Sequence, residues 1–96
     1  MATVRALVLS NTFKKAYQKF TGKNRSLQLS IDNTLLKLQE DAYNPSLRTH
    51  KLSGKLAAYL ACSCGYDCRI VFSIEKYQDQ TEYLLLIDIG THDDVY

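Results

Sequence analysis

Five side chains in this 96-residue sequence have the types needed to move protons around a phosphate: His50, Asp67, Arg69, His92 and Tyr96. Histidine serves as acid or base near neutrality because its reference pKa is about 6.5. Arginine keeps its charge and grips phosphate through two parallel N–H bonds. Such a set suits cleavage of RNA by its own 2′-hydroxyl. One group takes the 2′ proton, another protonates the leaving 5′ oxygen, and the cation stabilises the crowded phosphorus. Aspartate can orient or supplement the base, and a tyrosine can stack on a splayed nucleotide base. Each residue alone also has an ordinary reading: a surface histidine, a turn aspartate, a strand arginine, a tyrosine packed on a helix.

These groups need a scaffold, and the hydrophobic spacing supplies one. Residues 4–9 read as a short first strand. Ser10 or Asn11 offers an N-cap, and Phe13, Ala16, Tyr17 and Phe20 then form one helical stripe that Gly22 ends. Asn24 caps a second helix along Leu27, Ile31, Leu35, Leu38 and Ala42, closed by the turn around Pro45. Strands follow over 55–64, 68–75 and 83–89, separated by loops at 65–67 and 78–81. The expected fold is α+β in the order β-α-α-β-β-β. A mostly antiparallel sheet of about four strands carries an N-terminal helical hairpin on one face. In such a meander Asp67 and Arg69 open the third strand and His92 follows the fourth, so the three share one rim. Tyr96 is placed to fold back beside them.

Composition fits a single domain over residues 1–96, with 46% hydrophobic and 23% charged residues and one proline. No apolar run approaches the roughly 20 residues of a membrane span, and the N-terminus lacks a long apolar stretch. A cytoplasmic protein without membrane association is expected. Charge is uneven: ten Lys/Arg stand against three acids up to Lys55, and two against seven beyond it. A basic half of this kind suits contact with a polyanion, although any one of its lysines can equally be ordinary solvated helix surface. Cys62, Cys64 and Cys68 are an odd, tight cluster that reads as reduced thiols packed in the core. Zinc binding by these cysteines with a histidine is a minority reading, because C-x-C-x₃-C is not the common structural-zinc spacing. No metal and no small-molecule cofactor are expected.

Three stretches taken together, residues 47–54, 65–72 and 89–96, resemble the RelE/ParE toxin superfamily, closest to its RelE and YafQ branch. The element order matches over essentially the whole chain. The resemblance implies a toxin of a type II toxin–antitoxin pair, a ribosome-dependent endoribonuclease that cuts messenger RNA in the 30S A site. A cognate antitoxin protein would silence it. YafQ-like members use histidines, an aspartate and a C-terminal aromatic residue, which match His50, Asp67, His92 and Tyr96. RelE-like members use a third-strand arginine and a terminal tyrosine, matching Arg69 and Tyr96. The chain departs from the pattern where Leu60-Ala61-Cys62 replace second-strand lysines and where Ser63 replaces a further histidine. On this reading Lys14, Lys15, Lys19, Arg48, Lys51 and Lys55 hold RNA. His50 and His92 form the acid–base pair, in either order. The rivals are a ParE-like toxin that binds DNA gyrase without nuclease chemistry, and a degenerate toxin that only binds its antitoxin.

Overall fold

Side-chain caps start both helices. Ser10 Oγ accepts from the Phe13 amide at 3.0 Å and opens α1 (Asn11–Thr21). Asn24 Oδ1 accepts from the Leu27 amide at 3.0 Å and opens α2 (Arg25–Glu40). Each bond satisfies an amide that the first helical turn leaves unpaired. Gly22 ends α1 with a φ of 47°, a left-handed value that glycine adopts without a Cβ penalty. The computed structural model describes residues 5–54, 57–65 and 67–91.

The helical stripes land where their spacing sends them. Phe13, Ile31, Leu38 and Ala42 are fully buried, with Ala16, Tyr17, Phe20, Leu27 and Leu35 packed against them. The Tyr17 hydroxyl donates to Asp32 at 3.0 Å and ties the two helices together. The second helix stops at Glu40, before the turn expected to close it, and Asn44 and Pro45 start a short 3₁₀ turn over Pro45–Leu47. Ala42 stays in the core although it lies beyond the helix.

Among the described residues, five strands make one sheet: β1 (Ala6–Leu9), β2 (His50–Lys51), β3 (Leu60–Ser63), β4 (Arg69–Lys76) and β5 (Glu82–Gly90). Their order across the sheet is β1-β5-β4-β3-β2, with β1 parallel to β5 and every other pair antiparallel. The sheet thus has one strand more than the sequence pattern suggests. A two-residue edge strand is too short to display an alternation. The strand expected over 55–64 is also narrower, since the described residues 57 and 58 form a turn and pairing starts at Leu60.

Leu60, Cys62, Ile70, Phe72, Leu84, Leu86 and Ile89 turn to the helices and complete the core. Leu86 and Ile89 are three residues apart, a spacing that simple alternation forbids on one face. A bulge reconciles them: Val71 pairs with Asp88 while Phe72 pairs with Leu86, so Ile87 is the extra residue. The bulge therefore keeps Ile89 in the core and sets Gly90 opposite Arg69 at the end of the sheet. At the other end Arg5 pairs with Glu82 at 2.9 Å, and Gln39 Nε2 donates to the Arg5 carbonyl at 2.9 Å.

Candidate active site

The register brings the middle of the expected set to one rim. His50 pairs with Ala61, Ser63 pairs with Arg69, and Arg69 pairs with Gly90. Directly paired residues share a face, and so do residues two apart on one strand. His50, Ser63 and Arg69 therefore share the sheet face turned away from the core formed by Leu60, Cys62 and Ile70. Two strand spacings and two residues of rise separate His50 from Arg69, roughly 12 Å between Cα atoms. Long side chains reaching inward from that separation can flank one phosphodiester.

His50 is exposed, and its Nδ1 lies 3.0 Å from the Arg48 carbonyl oxygen. A carbonyl only accepts, so this bond requires the hydrogen on Nδ1 and puts the neutral ring's lone pair on Nε2. Arg69 is half-buried, and its Nη1 donates to the Cys68 carbonyl at 2.9 Å, which holds the guanidinium at the rim. Its charge also opposes the effect of burial on Cys62. Burial wins, and the Cys62 thiol is pushed up to about 12. A thiol so far from ionising at neutral pH is packing material, not a nucleophile.

Asp67 occupies the tight turn between β3 and β4 with a φ of 52°. Aspartate is among the few residues that adopt this left-handed conformation readily. The turn is closed by Cys64 N donating to Cys68 O at 3.0 Å and by a disulfide between Cys64 and Cys68. The disulfide corrects the expectation of three reduced thiols. Continuing the Ser63–Arg69 register by one step sets Cys64 against Cys68, with their Cα atoms 5.1 Å apart. Only Cys62 remains a thiol. Two of the three sulfurs that the zinc reading needed are thereby bonded to each other. Closing this five-residue loop restricts the unfolded chain, which by loop entropy is worth about 2 kcal/mol. Changing both cysteines to serine, or adding a strong reductant, is expected to lower Tm by roughly 10 °C in a calorimetric scan. The same Tm with and without reductant would refute it.

Beside the rim, on the α2 side, lies a cleft of 810 Å³. Ser63, Asp67 and Arg69 border it from the sheet, Ser46 and Arg48 from the 3₁₀ turn and its cap, and Asn33 and Lys37 from α2. Arg48 and Lys37 are exposed, and neither joins an ion pair among the described residues. The α2 contribution was missed in the sequence. Ser30, Asn33, Thr34 and Lys37 all line the cleft and recur at three, one and three, a polar stripe alongside the apolar one.

The remaining candidates fall in three places. Lys51 is exposed on the edge strand next to His50. Lys19 borders a second cleft of 410 Å³ with Asp88 and Gly90, on the helix side of the same rim, whereas Lys14 and Lys15 are exposed on α1 and line neither cleft. Lys55, His92 and Tyr96 lie outside the described residues. Gly90 lies opposite Arg69, and Thr91 after it is the last described position.

Solved structures share this architecture. A YoeB/ParE toxin from Agrobacterium tumefaciens superposes with a TM-score of 0.75 at 15% identity, covering 91% of this chain and 98% of that one. The toxin–antitoxin complex RelBE2 of Mycobacterium tuberculosis gives 0.74 at 10% identity, covering 96% and 95%. YafQ from E. coli strain BL21(DE3) gives 0.67 at 18% identity, covering 96% and 98%. At these identities the likeness establishes the fold alone. Comparison with curated protein sequences gives no match. Family assignment comes from the sequence itself, which matches the family described as "Bacterial toxin of type II toxin-antitoxin system, YafQ" over residues 5–96. Nearly the whole chain carries that match, and it belongs to the YafQ family of bacterial type II toxins.

Proposed function

We propose that this toxin is a ribosome-dependent endoribonuclease that cuts messenger RNA in the A site by 2′-hydroxyl attack. The observation that supports it best is the shared rim: His50, Ser63 and Arg69 on one face, with Asp67 in the adjoining turn. His50 takes the 2′ proton on Nε2, the atom left basic by its bond to the Arg48 carbonyl. The 2′ oxygen then bonds to phosphorus, and the 5′ oxygen leaves with a proton from His92. Arg69 carries the negative charge that builds on the phosphorane, and Asp67 orients or supplements the base. Tyr96 positions the nucleotide by stacking. Side chains supply every proton and charge in this scheme, so no metal or small-molecule cofactor takes part.

Lys14, Lys15, Lys19, Lys51 and Lys55 hold ribosomal RNA in this reading, which places the toxin in the cytoplasm. Among the described residues no helix is long and apolar enough to cross a membrane. A cognate antitoxin is the second partner, as in the RelBE2 complex that shares the fold. Induced expression followed by mapping of messenger 5′ ends tests the reading. Cuts within translated codons are expected, and they vanish when translation is blocked. Growth arrest with intact messenger and altered DNA supercoiling would replace the nuclease by a gyrase binder. Arrest and cleavage that survive both His92→Ala and Tyr96→Ala would remove those two residues from the scheme.

A further inference from the structure

The cleft between α2 and the β3–β4 rim has a composition that proton transfer does not require. Among the described residues, Lys37, Arg48 and Arg69 line it from three separate elements, against the single carboxylate of Asp67. Asn33, Ser46 and Ser63 add amide and hydroxyl groups to the same walls. A volume of 810 Å³ lies within the range of pockets that hold nucleotide-sized ligands. Arg48 stands out in its backbone as well: it caps the 3₁₀ turn with φ 54° and ψ 40°. Glycine or asparagine adopts that left-handed conformation more easily, so an arginine there is kept at a backbone cost.

We infer that this cleft seats one backbone phosphate of single-stranded RNA, next to the cleaved linkage, held by Lys37 and Arg48. The inference rests on the RNA-cleavage reading for its ligand; it adds Lys37 to the expected RNA contacts and gives Arg48 a specific phosphate, and both lie outside the acid–base set. Lys37 contributes a point charge from α2, and Arg48 a planar fork that matches phosphate oxygens. The bond that His50 Nδ1 donates to the Arg48 carbonyl makes the arrangement mutual. Arg48 then grips the strand with its side chain while its main chain sets the tautomer of the base.

The probe is a single-stranded RNA oligonucleotide with 2′-O-methyl sugars, which lack the attacking hydroxyl and so cannot be cleaved, titrated by fluorescence anisotropy over a range of salt. Lys37→Gln and Arg48→Asn are each expected to weaken binding about tenfold. Each should also lower the slope of log affinity against log salt, and the double variant should lower it by about 0.7, the value for one phosphate on a single strand. Asparagine suits the left-handed backbone at position 48, and melting curves confirm that both variants fold. Lys76 provides the comparison: it ends β4, seven residues from Arg69, and Lys76→Gln should leave affinity and slope unchanged. Unchanged binding in the two cleft variants, or an equal loss in Lys76→Gln, would overturn the inference. So would loss of antitoxin affinity with RNA affinity retained, which would assign the cleft to an acidic peptide. Failure here with wild-type messenger cleavage intact removes only the cleft; weakened binding by the cleft variants of a toxin that cuts no messenger leaves the cleft and removes the nuclease.

Discussion

If the toxin cleaves messenger as proposed, Arg69→Ala is expected to slow that cleavage by about 10²–10³-fold while the protein still folds, the loss typical of removing one donor to a charged transition state. The size of the effect follows from position. Arg69 is the first residue of β4, paired on one side with Ser63 and on the other with Gly90, so it sits between both neighbouring strands at the rim. Its Nη1 bond to the Cys68 carbonyl fixes the guanidinium before substrate arrives, and a fixed charge needs no reorganisation when the phosphorane forms. Arg69→Lys keeps a charge but loses the fork, and an intermediate loss is expected. Single-turnover cleavage on programmed ribosomes measures both variants. A rate for Arg69→Ala within twofold of the wild type would take Arg69 out of the site. Folding should survive because Cys62, the buried neighbour that feels the Arg69 charge, stays a neutral thiol either way.

Much of this arrangement is legible in the sequence because it depends on local periodicity. The stripe of Phe13, Ala16, Tyr17 and Phe20 and the stripe through Ile31 and Leu38 each specify a helix and its buried side. Ser10 and Asn24 mark the helix starts by chemistry that acts over three residues. What escapes depends on register between distant segments. The parallel pairing of β1 with β5 joins residues 77 apart, as in Ala6 with Tyr83, and no pattern within either strand encodes it. The Cys64–Cys68 disulfide needed knowledge of where pairing stops, because a register shifted by one residue would turn the two sulfurs away from each other. The α2 wall of the cleft is a different case. Ser30, Asn33, Thr34 and Lys37 carry a readable spacing, but a polar stripe on a helix ordinarily means solvent, and only the fold places this one against Arg48 and Asp67.

His50→Ala should lower the cleavage rate by about 10²–10⁴-fold, the range for loss of a general base. Two features of the structure make the result interpretable. His50 is exposed on a two-residue edge strand, so its removal leaves no cavity in the core and should leave melting nearly unchanged. That exposure also lets imidazole from solution enter the vacated position. Partial recovery of the His50→Ala rate with added imidazole is therefore expected, and recovery should be absent in Arg69→Ala, where the missing function is charge and not proton transfer. The double variant separates one site from two. If His50 and Arg69 act on the same phosphorane, the combined loss falls short of the product of the single losses, since a transition state already deprived of its cation gains less from a base. Fully multiplicative losses would mean that the two residues act in separate steps. No imidazole rescue together with a full rate loss would make His50 a positioning residue for Arg48, through the 3.0 Å bond between them, and would leave the 2′ proton to another group.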